Sequence, residues 1–307
     1  MRNTILYIIT VLIWGSTWLA IEFQLGEVPV EVSLVYRFGI AAVIMWAYCI
    51  VRRIPMWFNA TDHFFIILLA LGNFSVNYMC MYLAQQHLTS AMTSIAFSTM
   101  LLMNIVNTRL FFGVKIEIKT YIGGLLGVLG IVALFWDDLS GTQLSENAST
   151  GLLLVMTGTL IASLGNMCSV RNSNRGLNIF SVNAWGMLYG TLALFIFAVF
   201  KGSHFIISYQ TTYLVSLAYL SVFGTVIAFA SFFVLLRNMG PEKASYAIVL
   251  FPIVAVCLSS MFENFIWTRY VILGFVMVLM GNAIVLTPKE KIFQLFAAVR
   301  STRKNSI

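Results

Sequence analysis

"LTSAMTSIAFSTMLLMNIVNTRLFFGVKIEIKTYIGGLLGVLGI", residues 88–131, lies over "MGPEKASYAIVLFPIVAVCLSSMFENFIWTRYVILGFVMVLMGN", residues 239–282, when the chain is shifted by 151 positions. Ser94 then meets Ser245, Ala96 meets Ala247, Gly123 meets Gly274 and Gly130 meets Gly281. Each copy runs from a long apolar segment through a short charged turn into a glycine-rich segment. One such match is weak by itself. It gains weight if the copies occupy equal halves built to the same plan.

Hydropathy supplies those halves. The 307 residues are 60% hydrophobic and 9% charged, with a mean hydropathy of +0.91, whereas ordinary globular domains carry about a quarter charged residues. Such a chain is an all-α integral membrane protein, and its 25 Phe and 7 Trp suit lipid contact and interfacial anchoring. Apolar stretches long enough to cross a bilayer, about 17–25 residues, fall near 4–24, 32–51, 64–84, 90–111, 120–136, 151–170, 181–200, 213–236, 244–262 and 270–287. The first is followed by more of its kind, so it reads as a span and not as a cleaved leader. The longest polar connection, "DDLSGTQLSENASTG" from Asp137, falls between the fifth and sixth spans. The predicted organisation is therefore a first five-helix repeat at 1–137, a linker at 138–150, a second repeat at 151–287 and a basic tail at 288–307. In that tail Ile292, Phe293, Leu295, Phe296 and Val299 recur at helical spacing, which predicts an interfacial amphipathic helix.

Lys and Arg decide the orientation, because positive residues in short loops stay in the cytoplasm. With the N-terminus inside, fifteen of them, from Arg2, Arg52 and Arg53 through Arg171 and Arg175 to the tail, fall on the cytoplasmic side, against Lys201 and Arg269 outside. Both termini are then cytoplasmic, and the net charge of +7 reflects topology rather than nucleic-acid binding. Five is an odd number, so the second repeat enters the membrane upside down. Inverted repeats are a common construction of secondary transporters, with a substrate site near the membrane midplane between the halves.

The chain is similar to the drug/metabolite transporter superfamily, and within it to the bacterial EamA-type permeases. The resemblance is carried by "WGSTW" at 14–18, by Arg37 early in the second helix, and by the two copies aligned above, the second containing "GPEKASYAIVLFPIVAV" with Pro252 as a mid-helix proline. It extends over about residues 5–287. It implies ten helices in two inverted repeats, a central cavity lined by helices one, three, four, six, eight and nine, and export of metabolites across the bacterial inner membrane. The chain also departs from the family pattern. Where relatives carry Gly-Glu after the long helix, it has Gly113-Val114 and Asn264-Phe265, with Glu263 displaced, and Leu101 stands where Pro252 has its counterpart.

Candidate cavity residues follow from spacing. Trp14, Trp18 and Glu22 recur at i, i+4 and i+8 on one helix face, and a tryptophan at the depth of Trp14 needs a partner for its N–H. Asn73 and Asn77 share a face of the third helix with Tyr78 nearby, Ser94 and Ser98 belong to a polar stripe on the fourth, and Asn166 and Tyr246 add hydrogen-bonding groups from the second half. Small and amide residues also serve helix packing without any ligand. Pro252 is a candidate helix kink. Arg37 falls about 8 Å below the external surface at 1.5 Å per residue, on the side positive residues avoid. Glu22 lies at similar depth across a short loop, which predicts an Arg37–Glu22 ion pair at the external mouth, with either a structural or a gating and anion-binding role.

These groups suit a small solute with an aromatic or aliphatic body, such as an amino acid, a related metabolite or an amphiphilic drug. The expected partners are this solute and membrane lipid, with monomer and homodimer both open and no nucleic acid. Glu22 is the acid well inside a predicted helix, which makes proton coupling through it one reading and facilitated diffusion the other. No cofactor motif and no metal-ligand spacing is present, the four cysteines standing singly in apolar segments. No nucleophile-and-base motif for an intramembrane enzyme is present either. A channel-like facilitator or a non-transporting membrane protein is the alternative class.

Overall fold

The computed structural model describes residues 2–139, 148–263 and 265–287. The tail 288–307, residues 140–147 of the linker, Asn264 and the side chain of Tyr246 lie outside the described residues. Every described element is helical: α1 (Arg2–Glu22), α2 (Val30–Val51), α3 (Ala60–Asn73), α4 (Val76–Gln85), α5 (Ser90–Phe97), α6 (Met100–Phe112), α7 (Ile118–Leu134), α8 (Trp136–Leu139), α9 (Ala148–Asn174), α10 (Ile179–Lys201), α11 (Thr211–Tyr219), a π-helical segment (Leu220–Ile227), α12 (Ala228–Phe262) and α13 (Arg269–Leu286). Eight helical stretches among the described residues are long and apolar enough to cross a membrane, and two shorter apolar helices, Ile118–Leu134 and Leu250–Phe262, bring the total to ten. Two crossings are interrupted: α3 and α4 form the third, broken at Phe74-Ser75, and α5 and α6 form the fourth, broken at Ser98-Thr99.

Local chemistry sets the ends. Asn59 accepts a hydrogen bond from the Asp62 backbone N–H at 2.8 Å and starts α3, and Thr268 does the same for Val271 at 3.2 Å to start α13, each satisfying an amide that the first helical turn leaves open. Gly113 and Gly202, at φ 70° and 73°, close α6 and α10 in the left-handed conformation that glycine reaches without strain.

Helical backbone continues from Ala228 to Phe262, across the Gly240-Pro241 break where the sequence predicts a loop. Trp14 packs on Phe229 and Phe232 at 5.6 and 4.9 Å between ring centroids, while its neighbour Gly15 presses against Val254. A straight helix would hold Phe229 and Val254 about 37 Å apart at 1.5 Å per residue. The segment therefore folds back on itself and supplies two crossings, the eighth and the ninth, both against α1.

The packing has the symmetry of an inverted repeat. The second and seventh crossings, α2 and α10, pack together, as do the fifth and tenth, α7 and α13. The first crossing packs on the eighth, and the sixth packs on the third, as α1 with α12 and α9 with α3 and α4. Exchanging the halves returns the same set of neighbours. At α7 and α13 the match reaches single residues: a Cβ on Gly123 would stand 2.5 Å from the Gly281 carbonyl oxygen, and one on Gly274 would stand 2.5 Å from that of Gly130. Since Gly123 is equivalent to Gly274 and Gly130 to Gly281, the two contacts are one contact seen twice, as a two-fold axis requires. Small residues here let two backbones meet without intervening side chains.

Polar ties sit toward the helix ends. Asp62, at the start of α3, accepts from Arg171 at 2.5 Å and pairs with Arg175 at 3.3 Å, both at the end of α9. Glu31, 1% exposed at the start of α2, pairs with Lys201 at 2.8 Å and accepts from Ser203. Lys201 is one of the two cations that break the charge asymmetry, and a buried acid neutralises it.

Candidate functional site

The region between the halves has two polar centres, and a series of aromatic rings leads to the second of them. The first is an amide chain. Asn73, closing α3, donates from Nδ2 to the Asn166 Oδ1 on α9 at 2.9 Å, and Asn166 in turn donates to the Asn104 Oδ1 on α6 at 3.2 Å and to the Met100 Sδ at 3.7 Å. Asn73 and Asn166 were both legible in the sequence. Asn104 was not, because one amide in an apolar helix has no periodic signal. Asn107, one turn further, donates to Ser163 on α9 at 2.8 Å and reinforces the same crossing.

Asn77 does not extend this chain. The break at Phe74-Ser75 ends the helical ladder that would have put Asn73 and Asn77 on one face, and Asn77 is 4% exposed beside Gly158, its Oδ1 without a partner among the described residues. Ser94 and Ser98 are fully buried: the Ser94 hydroxyl has no partner among the described residues, and the Ser98 hydroxyl accepts from Asn282 on α13 at 3.2 Å. Ser98 therefore ties the fourth crossing to the tenth. Trp18, 7% exposed, stacks on Phe251 and meets Phe97 in a tilted contact, and its carbonyl accepts from Gln85 at 3.0 Å, so it belongs to the core. Trp14 is half-buried against Phe229 and Phe232, and its indole N–H has no acceptor among the described residues. Pro252 is buried inside α12, next to the Phe251 carbonyl that abuts Gly15.

The second centre is Arg37, 1% exposed on α2. Its Nε donates to the Thr225 hydroxyl at 3.4 Å and its Nη1 to the Tyr82 hydroxyl at 3.2 Å. The guanidinium lies 4.7 Å from the Tyr78 ring centroid and 5.3 Å from that of Phe38. Tyr82 donates to the Gln24 Oε1 at 2.7 Å. The π-helical segment positions Thr225, whose hydroxyl donates to the Leu220 carbonyl five residues back at 2.8 Å; such widened turns recur at functional sites.

The predicted Arg37–Glu22 pair is not among the described ion pairs, and the interactions of Arg37 lead elsewhere. Glu22 is the half-buried last residue of α1, and the charge within its electrostatic range is Glu263. Glu263, displaced from the family's usual turn, accepts from the Ser90 backbone N–H at 3.2 Å, from the Ser90 hydroxyl at 2.6 Å and from the Ser259 hydroxyl. A carboxylate of the second half thus caps the first turn of α5 in the first half, where the helix end favours negative charge.

A series of ring contacts runs from Trp14 to the Arg37 centre. Trp14 meets Phe229, Phe229 meets Phe74 at 5.9 Å, Phe74 meets Phe38 at 5.8 Å, and Phe38 meets Tyr78 at 4.8 Å. A separate apolar crevice of about 500 Å³ opens between α3, α4, α6 and α9, lined by Phe65, Leu68, Leu71, Phe111, Leu164 and Met167 among others.

Comparison with known proteins places this architecture. The profile of the EamA-like transporter family matches residues 2–136 and 149–287. The chain is 27% identical over 254 residues to an uncharacterized inner membrane transporter, YedA, of Escherichia coli strain K12, covering 81% of this chain and 79% of that one. It is 24% identical over 271 residues to an uncharacterized transporter encoded in the trpA 3' region of Buchnera aphidicola from Schlechtendalia chinensis, covering 87% and 86%. It is 25% identical over 262 residues to the uncharacterized transporter YoaV of Bacillus subtilis, covering 83% and 87%. A solved crystal structure at 15% identity superposes with a TM-score of 0.65 over 92% of this chain and 95% of that one, which shows the same fold.

Proposed function

Because the chain belongs to the EamA-like transporter family, we propose that it is a carrier of small organic metabolites of the bacterial inner membrane, working by alternating access and running as an exporter. The halves 1–137 and 151–287 are the moving units, and both termini face the cytoplasm. The charge asymmetry of the loops supports that orientation.

The observation that carries this reading is the Asn73–Asn166–Asn104 chain, which runs from the first half to the second and back. Amides shared between the two halves support a site there, since carriers built from inverted repeats bind their solutes between the halves, and the half-buried Trp14, whose indole N–H has no acceptor among the described residues, is a further candidate. Amides, hydroxyls and rings suit amino acids, their derivatives and amphiphilic drugs, whose polar groups need hydrogen bonds and whose bodies need apolar contact. Glu22 is the candidate proton carrier in a coupled cycle. A channel-like facilitator is the competing reading.

Counterflow in proteoliposomes tests it. Vesicles preloaded in turn with amino acids, nucleosides, sugars and cationic drugs are expected to show saturable exchange for one class, lost in Trp14→Ala and kept in Trp57→Ala, a position 93% exposed. Flux that rises linearly with concentration and shows no counterflow would establish the facilitator instead.

A further inference from the structure

The Arg37 centre holds more hydrogen-bond donors than acceptors. Arg37 is a permanent cation with five N–H groups, it is 1% exposed, and no described carboxylate pairs with it. Two neutral hydroxyls, of Thr225 and Tyr82, accept from Nε and Nη1, and no described residue accepts from Nη2. One residue away, the Gln24 side chain is 1% exposed, its Oε1 is committed to Tyr82, and its Nε2 is buried without a partner among the described residues. Buried charge is costly unless it is both paired and hydrogen-bonded. The two buried acids among the described residues are engaged elsewhere, Glu31 with Lys201 and Asp62 with Arg171.

We propose that Arg37, with Gln24 beside it, is the anchor for the carboxylate of a monoanionic substrate; this rests on the carrier reading above and names its substrate class. One guanidinium balances one negative charge, so a carboxylate leaves the site neutral, whereas a phosphate dianion would need a second cation. A carboxylate offers two oxygens and about four lone-pair sites, enough for Nη2 and for the Gln24 amide together. The half-buried rings of Tyr78, Phe229 and Trp14, backed by the fully buried Phe38 and Phe74, offer apolar contact to an aromatic or aliphatic body. Arg37 and Tyr82 belong to the first half and Thr225 to the second, so a substrate bound here engages both moving units.

The test uses the full chain purified in dodecyl maltoside, with 3-phenylpropanoate and butanoate as probes and their uncharged amides as controls, read by thermal shift. The acids are expected to bind at least about tenfold more tightly than the amides, the size of one charge-assisted bidentate contact. Arg37→Gln is expected to bring that ratio close to one. Gln24→Glu places a carboxylate of the protein's own in the site and is expected to abolish acid binding while raising the melting temperature, which carries the test whatever the stability of Arg37→Gln. Equal binding of acids and amides, no binding of either acid up to about 10 mM, or an acid preference that survives Gln24→Glu would overturn the proposal and leave Arg37 as a structural tie. Counterflow separates this from the carrier reading: acid binding through Arg37 without flux keeps the anchor and removes the carrier, and equal flux of acid and amide keeps the carrier and removes the anchor.

Discussion

The two halves meet in two contrasting ways. Between α7 and α13 the contact is backbone on backbone, four glycines standing where no side chain fits. Around Arg37 the contact is made by side chains with hydrogen-bonding capacity to spare, and the π-helical turn that presents Thr225 is itself a departure from regular geometry. The first interface is specified by sterics and has one good arrangement. The second is specified by polarity and leaves donors unfilled among the described residues. Substitutions at the first should therefore cost the fold, and substitutions at the second should cost transport.

The largest expected effect is at the glycines. Gly274→Ala puts a Cβ 2.5 Å from both the Gly130 oxygen and the Leu134 nitrogen; neither backbone atom can rotate away, so overpacking should cost about 3 kcal/mol, read as a fall in melting temperature in detergent. A melting temperature unchanged by Gly274→Ala would break the contrast at its rigid end.

Arg37→Met should behave in the opposite way. It removes a buried charge that no described acid compensates, so stability should stay within about 1 kcal/mol of wild type or rise, while counterflow falls more than about tenfold. A severe loss of stability with normal flux per folded molecule would make the second interface as structural as the first.

Smaller effects sharpen the boundary. Glu263→Ala leaves the Thr89 cap of α5 in place but removes the acceptor of the Ser90 N–H and hydroxyl, and should cost about 1–2 kcal/mol in thermal unfolding. Asn166→Leu leaves the Asn73 amide without its acceptor; it should cost a similar amount, about 1–2 kcal/mol, and raise the KM of any transported solute. Trp57→Ala, at an exposed position, should change stability by less than about 0.5 kcal/mol.

How much of this was legible in the sequence depended on whether the signal was periodic or pairwise. The spans were legible because each is a long apolar run, and the glycine equivalences because the repeats align at one shift. That Gly123 meets Gly281 and not its own equivalent needed the fold. The helix breaks at Phe74-Ser75 and Ser98-Thr99 escaped notice, since neither carries a proline, and the first of them undid the expected common face of Asn73 and Asn77. Arg37 stood out in the sequence as a cation inside an apolar run, and it is buried in the structure. Its partners were not foreseeable: Tyr82 is 45 residues away and Thr225 is 188, whereas Glu22 was near in sequence and oppositely charged. Sequence proximity favours the wrong acid when the true neighbours are neutral hydroxyls.

The central claim is that the two halves alternately expose the site between them, and cysteine accessibility tests it most directly. In a variant whose four native cysteines are replaced by alanine, Asn166→Cys would be exposed to a membrane-impermeant thiol reagent in right-side-out and in inverted vesicles. The account predicts labelling from both faces, slowed from both by a transported solute. Labelling confined to one face, unaffected by any solute that exchanges, would contradict it.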